Sequence, residues 1–236
     1  MLRLERVTKI YNSKKILDQV SLEIRKRELV ILLGPSGSGK TTLLRLIAGF
    51  EQPDEGKVWI RGKMVSGKIK SIPPHKRNFG MVFQDLALWP HMTVKENVSF
   101  GLRMSKRRKE GCVKDVLRLV HLDKHWNDYP HQLSGGENQR AALARALVQE
   151  PEILLMDEPL SNLDVLLKDE LQALIVNIHK TFGITTVYVT HNQIEAKSLD
   201  SSIAVIDKGK IEQIGSYREL LDNPKDDFIR RFVKAK

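Results

Sequence analysis

The strongest constraint on this chain is one turn, Gly34-Pro35-Ser36-Gly37-Ser38-Gly39-Lys40-Thr41, set between an apolar run and a helical pattern. Leu29 to Leu33 is uninterrupted and apolar, as a fully buried strand requires, and residues Lys40 to Gly49 read as a helix. The glycines of the turn let backbone N–H groups converge on an anion without Cβ atoms in the way. Lys40 adds a point charge, Thr41 adds a hydroxyl followed by Thr42, and the helix points its positive end at the same place. The spacing fits G-x-x-x-x-G-K-[ST], in which the lysine reaches the β- and γ-phosphates of a nucleotide and the hydroxyl reaches Mg²⁺. Strand, turn and helix in this order predict a nucleotide site in an α/β fold.

The rest of the chain supports that architecture. Strands are expected at Leu2 to Ile10, Val20 to Arg25, Glu28 to Leu33, Lys57 to Arg61 and Phe79 to Phe83. From about residue 93 to 149 the pattern becomes helical, with Val113, Val116, Leu117 and Val120 on one buried face. Strand and helix then alternate: Glu152 to Met156, Val165 to Lys180, Ile184 to Val189 and Asn192 to Leu199. Leu167, Leu171, Leu174, Ile175 and Ile178 line one side of the long helix. Strands Ser202 to Asp207 and Lys210 to Gly215 and two short helices complete the chain. Alternation of this kind predicts a mostly parallel sheet with helices on both faces, the helical middle being an insertion.

Several polar residues terminate expected strands. The apolar run Ile153-Leu154-Leu155-Met156 ends in Asp157 and Glu158, Met81-Val82-Phe83 ends in Gln84, and Val187-Tyr188-Val189-Thr190 ends in His191. Ligands of open α/β sheets sit outside the carboxyl ends of the strands, so these residues are expected at one edge with the phosphate turn. Paired acids there suit a bound Mg²⁺ and a polarised water. A second anion-seeking element is Leu133-Ser134-Gly135-Gly136-Glu137, which precedes an Ala-rich helix expected over Asn138 to Val148. On physics alone it reads equally as an ordinary helix cap.

Composition narrows the class further. The 236 residues suit one large domain or two lobes, and the net charge of +10 admits nucleic acid, an anionic membrane leaflet or a polyphosphate ligand. A chain of this size buries roughly 70% of its unfolded surface without disulfide or metal staples. The densest basic run, Lys106-Arg107-Arg108-Lys109, reads as a solvated loop between helices, and there is no basic stripe interleaved with aromatics. Composition alone leaves the partner open. Cys112 stands alone, no apolar run approaches the ~18 residues a spanning helix needs, and Met1 to Glu5 do not resemble a secretory signal. A soluble chain in a reducing cytoplasm is expected.

Together these elements resemble the ATP-binding subunit of an ABC transporter over nearly the whole chain. The resemblance rests on Walker A at residues 34–41, Q-loop Gln84, the signature Leu133 to Glu137, Walker B ending at Asp157 with Glu158, the D-loop Ser161-Asn162-Leu163-Asp164, and switch His191. It implies a P-loop NTPase (RecA-like) core with a mostly parallel sheet, an N-terminal antiparallel β subdomain and an inserted helical subdomain. A single ATPase domain is expected over 1–236, with a core lobe at about 1–84 and 151–236 and the helical subdomain at about 85–150. By the same resemblance Tyr11 stacks on adenine, and ATP and Mg²⁺ are the cofactors. Glu158, His191 and Gln84 act in catalysis, Thr41, Gln84 and Asp157 serve the metal, and Ser134, Gly135, Gly136 and Glu137 meet the ATP of a second copy.

The implied partners are that second copy, as a homodimer, transmembrane permease subunits, and indirectly a solute-binding protein; by the same resemblance nucleic acid is not an expected partner. The implied location is the cytoplasmic face of the membrane, as a peripheral subunit. Pro73 to Gln84 and Leu88 to Val94 resemble importers of sugars, polyamines, ferric iron or related oxyanions. Those relatives often carry a C-terminal β-rich regulatory domain; the sequence stops soon after its ATPase core, so the resemblance assigns no solute. Two departures inside motifs stand out: Glu137 in the signature, where Gln is commoner, and Asn162 in the D-loop, where Ala is commoner. The acid at Glu137 is expected to slow or tune closure. The competing classes are a soluble ABC-type ATPase of DNA or ribosomes, and a P-loop kinase or GTPase, which leaves Ser134-Gly135-Gly136 unexplained.

Overall fold

The computed structural model describes residues 1–161, 163–199 and 201–234. The first stretch of chain forms β1 (Leu2–Tyr11), β2 (Lys14–Ile24), β3 (Leu29–Leu33), α1 (Lys40–Ala48), β4 (Glu55–Ile60) and β5 (Lys63–Gly67). Next come β6 (Phe79–Val82), α2 (Val94–Ser99), α3 (Lys106–Leu119), α4 (Gly135–Leu147), β7 (Ile153–Asp157) and α5 (Val165–Phe182). The remainder is β8 (Thr185–Thr190), α6 (Gln193–Ser198), β9 (Ser202–Asp207), β10 (Lys210–Gly215), α7 (Tyr217–Asp222) and α8 (Asp227–Lys234). Two compact units emerge, one of Met1–Asn78 with Gly183–Lys236 and one of Phe79–Phe182.

In the first unit an antiparallel sheet runs in the order β2-β1-β4-β5. Its buried face takes Leu2, Leu4 and Val7 from β1 and Leu17, Val20, Leu22 and Ile24 from β2, with register shifts after Leu4 and Val7 breaking the strict alternation. β2 begins six residues before the expected Val20 (at Lys14), because Asn12 and Ser13, at φ 46° and 63°, form a tight turn that pairs Tyr11 with Lys14 at once. β5 was not expected at all. Arg61 and Gly62, at φ 53° and 72°, repeat that turn and set Ile60 opposite Lys63. The same unit holds β3 between β8 and β9, both parallel to it, with β10 antiparallel outside β9. Every residue of β3 and of β8 is buried, which explains their unbroken apolar and β-branched character.

Arg77 ties this unit together. It is only 2% exposed, and its guanidinium donates to the carbonyls of Leu46 (3.0 Å), Ile47 (2.8 Å), Val65 (3.2 Å) and Ile72 (2.7 Å) and to Ser71 Oγ (2.9 Å). Leu46 and Ile47 lie in the last turn of α1, where carbonyls have no partner within the helix. Burial pulls the Arg77 pKa down to about 10, so the side chain stays charged at neutral pH.

The second unit pairs β6 with β7 in parallel and covers them with helices. Gly80 sits where an added Cβ would lie 2.2 Å from the Ala146 carbonyl, so β6 and α4 approach backbone to backbone. Val113, Val116, Leu117 and Val120 are all buried, as their spacing predicts. Lys106 to Lys109, expected in a loop, instead form the first turn of α3. Four cations at a helix N-terminus oppose its dipole, and burial of the α3 stripe outweighs that small cost. In α5, Leu171, Leu174, Ile175 and Ile178 are buried, whereas Leu167 is half-exposed and Gln172 takes a buried place. α4 starts at Gly135, earlier than the expected Asn138, because Ser134 and Glu137 cap each other across its first turn.

Candidate functional site

The phosphate turn leaves β3 and enters α1 in a shape that only glycine permits at two points. A Cβ on Gly34 would lie 2.1 Å from the Ile206 carbonyl oxygen. Gly39 caps α1 at φ 103°, and a Cβ there would meet Leu17 Cδ2 at 2.7 Å. The Gly209 N–H, in the β9–β10 turn, donates to the Ser38 carbonyl at 3.1 Å and holds the turn from behind. Lys40, 4% exposed, curls into the turn: its ammonium donates to the carbonyls of Gly34 and Pro35, both at 2.8 Å. Ser38 is 3% exposed and its Oγ has no partner, a buried polar atom aimed at nothing within the protein. Gly34→Ala is expected to cost roughly 1–3 kcal/mol of stability through backbone displacement, read as a lowered unfolding temperature. An unchanged melt would show that the turn can relax away from Ile206.

His191 leaves the adjacent strand at the same level, since Leu33 pairs with Thr190. It is exposed, and the residues around it are pinned by a carboxylate. Glu195, 5% exposed, accepts from Thr190 Oγ1 at 2.7 Å and from the Tyr188 hydroxyl at 3.0 Å. Thr190 Oγ1 in turn accepts from the Asn192 N–H at 3.0 Å, and Asn192 caps α6. Glu195 thus fixes the turn that presents His191, a role that a lone Glu four residues away does not announce in sequence. Tyr11 lies exposed at the end of β1 with the Lys9 ammonium 5.2 Å from its ring centroid.

In the second unit Val82 pairs with Met156, so Gln84 and the Asp157-Glu158 pair follow the same ends of neighbouring parallel strands. Gln84 is exposed and Asp157 is buried. Glu158 is half-buried and holds φ at 45°, a conformation a non-glycine residue adopts at a cost and that clusters at working sites. Beyond Gln84 the chain takes two more left-handed residues, Leu86 (φ 58°) and Ala87 (φ 47°). Arg145 of α4 clamps them, donating to the Leu86 carbonyl at 2.6 Å and to the Ala87 carbonyl. Burial lowers the Arg145 pKa, with Asp85 opposing.

Ser134 is the N-cap of α4, and its Oγ accepts from the Glu137 N–H at 3.3 Å. Glu137 reaches back, and its Oε2 accepts from both the Ser134 N–H and the Ser134 hydroxyl at 2.7 Å. These two bonds, the backbone one first, hold the Glu137 carboxyl below the ordinary range. Its other oxygen faces His125 Nε2 at 3.1 Å. The Ser-x-x-Glu spacing was the available signal for this cap. Nothing in sequence announced His125. A Cβ on Gly136 would strike the Leu167 side chain at 2.5 Å. Of the D-loop, Asn162 lies outside the described residues.

The structure therefore places the phosphate turn, His191 and Tyr11 in one unit, and Gln84, Ser134 to Glu137, Asp157 and Glu158 in the other. Each unit offers hard oxygen donors of the kind Mg²⁺ takes: the Thr41 hydroxyl in the first, and the Gln84 amide and the buried Asp157 carboxylate in the second. Among the described residues no group of three or more His, Cys, Asp and Glu forms a self-contained metal cage.

A family profile described as ABC transporter matches residues 17–161. The chain is 47% identical to the spermidine/putrescine import ATP-binding protein PotA of Nitratidesulfovibrio vulgaris, over 99% of this chain and 63% of that one. It spans 60% of the corresponding protein from Nostoc, so it covers less than two thirds of these relatives' length. It is 45% identical to the probable sulfate/thiosulfate import ATP-binding protein CysA of Chlorella vulgaris, over 99% of this chain and 98% of that one. Among solved structures, a dimeric post-hydrolysis state of the ATP-binding cassette MJ0796 with ADP and Pi superposes with a TM-score of 0.82 at 32% identity, over 92% of this chain and 98% of that one. The cbiO1 protein of Clostridium perfringens, part of the ABC transporter complex cbiONQ, gives 0.85 at 27% identity, over 94% and 90%. With the phosphate turn, the capped signature helix and the strand-end acids arranged as described, the chain belongs to the ABC transporter family and has the α/β fold of its ATP-binding cassettes.

Proposed function

We propose that the chain is the ATP-hydrolysing subunit of an importer, a single cassette with its core lobe at about 1–84 and 151–236 and its helical subdomain at about 85–150. The observation that carries this reading is the phosphate turn: a buried lysine whose ammonium donates to the Gly34 and Pro35 carbonyls, beside a buried Ser38 hydroxyl with no hydrogen-bond partner. An incoming triphosphate gives the Ser38 hydroxyl an acceptor and the Lys40 ammonium phosphate oxygens to bind. Residues Gly34 to Thr42 cradle its phosphates, and the Tyr11 ring packs on the adenine. Thr41, Gln84 and Asp157 supply oxygen ligands to Mg²⁺, which when bound neutralises charge on the transferred phosphoryl group.

Glu158 accepts a hydrogen bond from the attacking water. The water oxygen bonds to the γ-phosphorus as the bond to the β–γ bridging oxygen breaks, leaving ADP and phosphate. His191 contacts the γ-phosphate and holds it in line. Ser134, Gly135, Gly136 and Glu137 of a second copy complete each site, so two ATP molecules lie between two chains. ATP then favours the closed dimer because its phosphates gain the second set of contacts only there.

The dimeric cassette with ADP and Pi supports this assembly. Among the described residues no helix is long and apolar enough to cross a membrane. In this reading permease subunits provide the path and Gln84 relays nucleotide state to them. The chain is placed on the cytoplasmic face, with a solute-binding protein as an indirect partner. Relatives named for polyamine, sulfate or thiosulfate, and trehalose or maltose import lie at 47%, 45% and 43% identity. Import is their shared term, and the solute is set by the permease.

Lys40→Ala is expected to weaken ATP binding by roughly tenfold to a hundredfold, the worth of charge-assisted hydrogen bonds to phosphate, as read by titration calorimetry. Unchanged affinity would contradict the reading.

A further inference from the structure

The ring that the proposed function sets against adenine does not stand alone. The Lys9 ammonium lies over the Tyr11 ring, 5.2 Å from its centroid. Lys9 is itself fixed. Its ammonium donates to the Gln52 carbonyl at 2.9 Å and stands 3.5 Å from Asp54 Oδ2, and only 14% of its side chain is exposed. Asp54 is tied to the same strand: its Oδ2 accepts from the Ile10 N–H at 2.7 Å, and its own N–H donates to the Thr8 carbonyl at 3.0 Å. These bonds hold the cation in place while the residue beside it stays 39% exposed. Lys9 pairs across to Leu17 of β2, and Leu17 is the side chain that a Cβ on Gly39 would strike at the head of α1. The ring and its cation therefore belong to the strand next to the one that packs on the phosphate turn, within one compact unit.

We propose that Lys9 is a positioning residue for the base: its fixed charge engages one face of the Tyr11 ring in a cation–π contact, sets the angle of the ring and leaves the other face to the adenine. The proposal rests on the reading of Tyr11 as the adenine platform. An exposed aromatic side chain is otherwise free to change rotamer, and a base that stacks on it must arrest that motion at a cost in entropy. A cation held by a carbonyl and a carboxylate arrests it before the nucleotide arrives. Lys9 acts through Tyr11, so its contribution belongs to the base-dependent part of nucleotide affinity and not to the phosphate part.

The test is titration calorimetry of the full chain with MgADP, which binds without being hydrolysed. Competition by inorganic tripolyphosphate reads the phosphate turn without a base. Lys9→Met is expected to weaken MgADP binding by about threefold to tenfold, the scale of a cation–π contact, with tripolyphosphate affinity unchanged. Lys9→Gln, which keeps an N–H donor for the Gln52 carbonyl but no charge, should match it. Tyr11→Ala should weaken MgADP binding by roughly tenfold, the worth of stacking one base, and Lys9→Met added to Tyr11→Ala should change nothing more. A Lys9→Met loss of equal size with and without the Tyr11 ring overturns the proposal, as does an equal loss for tripolyphosphate. A loss in Lys9→Met that Lys9→Gln does not share overturns it too, since the hydrogen bond and not the charge would then be at work. MgADP affinity untouched by Tyr11→Ala overturns the underlying reading of Tyr11 and the proposal with it.

Discussion

Arg77→Met is expected to lower the free energy of unfolding by roughly 3–5 kcal/mol, because it strands buried carbonyls that each cost about 1–3 kcal/mol when left unpaired. All five acceptors of Arg77 are neutral, and four of them are backbone carbonyls. The guanidinium therefore acts as a fivefold donor rather than as half of an ion pair. It joins the end of α1 to Val65 in β5 and to the segment Ser71–Ile72, elements far apart in the chain. Arg77→Lys should recover only part of the loss, since an ammonium has three donors on a compact head and cannot span the same set. Gly49→Ala should damage the same joint, as its Cβ would lie 2.4 Å from the guanidinium carbon. Urea unfolding checks all three. A loss below about 1 kcal/mol for Arg77→Met would mean that water or a shifted side chain satisfies those carbonyls.

The second large effect concerns Glu158. Glu158→Gln is expected to slow ATP hydrolysis by roughly a hundredfold to ten-thousandfold, the usual contribution of a positioned base, while leaving ATP affinity within a few-fold of the parent. The amide keeps the shape of the side chain but cannot take up proton character from the attacking water. With hydrolysis blocked, the ATP-bound dimer accumulates and sediments as such. Glu158 also holds φ at 45°, a backbone conformation that costs a non-glycine residue. Single-turnover assays with MgATP give the rate, and a rate near the parent's would remove Glu158 from the chemistry.

Much of this was legible in the residues themselves. The β3–turn–α1 unit follows from Leu29 to Leu33, the glycines and Lys40, because an unbroken apolar run must be buried and the turn admits few alternatives. β9 and β10 fall where alternation and the Lys208-Gly209 turn put them. What escaped were interactions between residues distant in sequence. The β1–β2 and β4–β5 turns use Asn12-Ser13 and Arg61-Gly62 in left-handed conformations, which weaker turn residues do not advertise. Arg77, Arg145, Glu195 and His125 look like ordinary surface charges in sequence. Each takes its meaning from partners that only folding brings near: α1 carbonyls, the Leu86–Ala87 backbone, Thr190 with Tyr188, and Glu137. Lys106 to Lys109 erred in the other direction, since local charge suggested a loop and a buried stripe one turn later decided for helix.

The account depends on two chains gripping the γ-phosphate together. Lys40→Ala chains and Ser134→Arg chains are each expected to be inactive alone, since each homodimer lacks one half of both sites. Mixed, they form heterodimers in which Lys40 of one chain and Ser134 of the other rebuild one complete site, so MgATP hydrolysis should return on mixing and scale with heterodimer content. ATPase activity that stays at the level of the separate variants, although the heterodimer is present by sedimentation, would contradict a shared site.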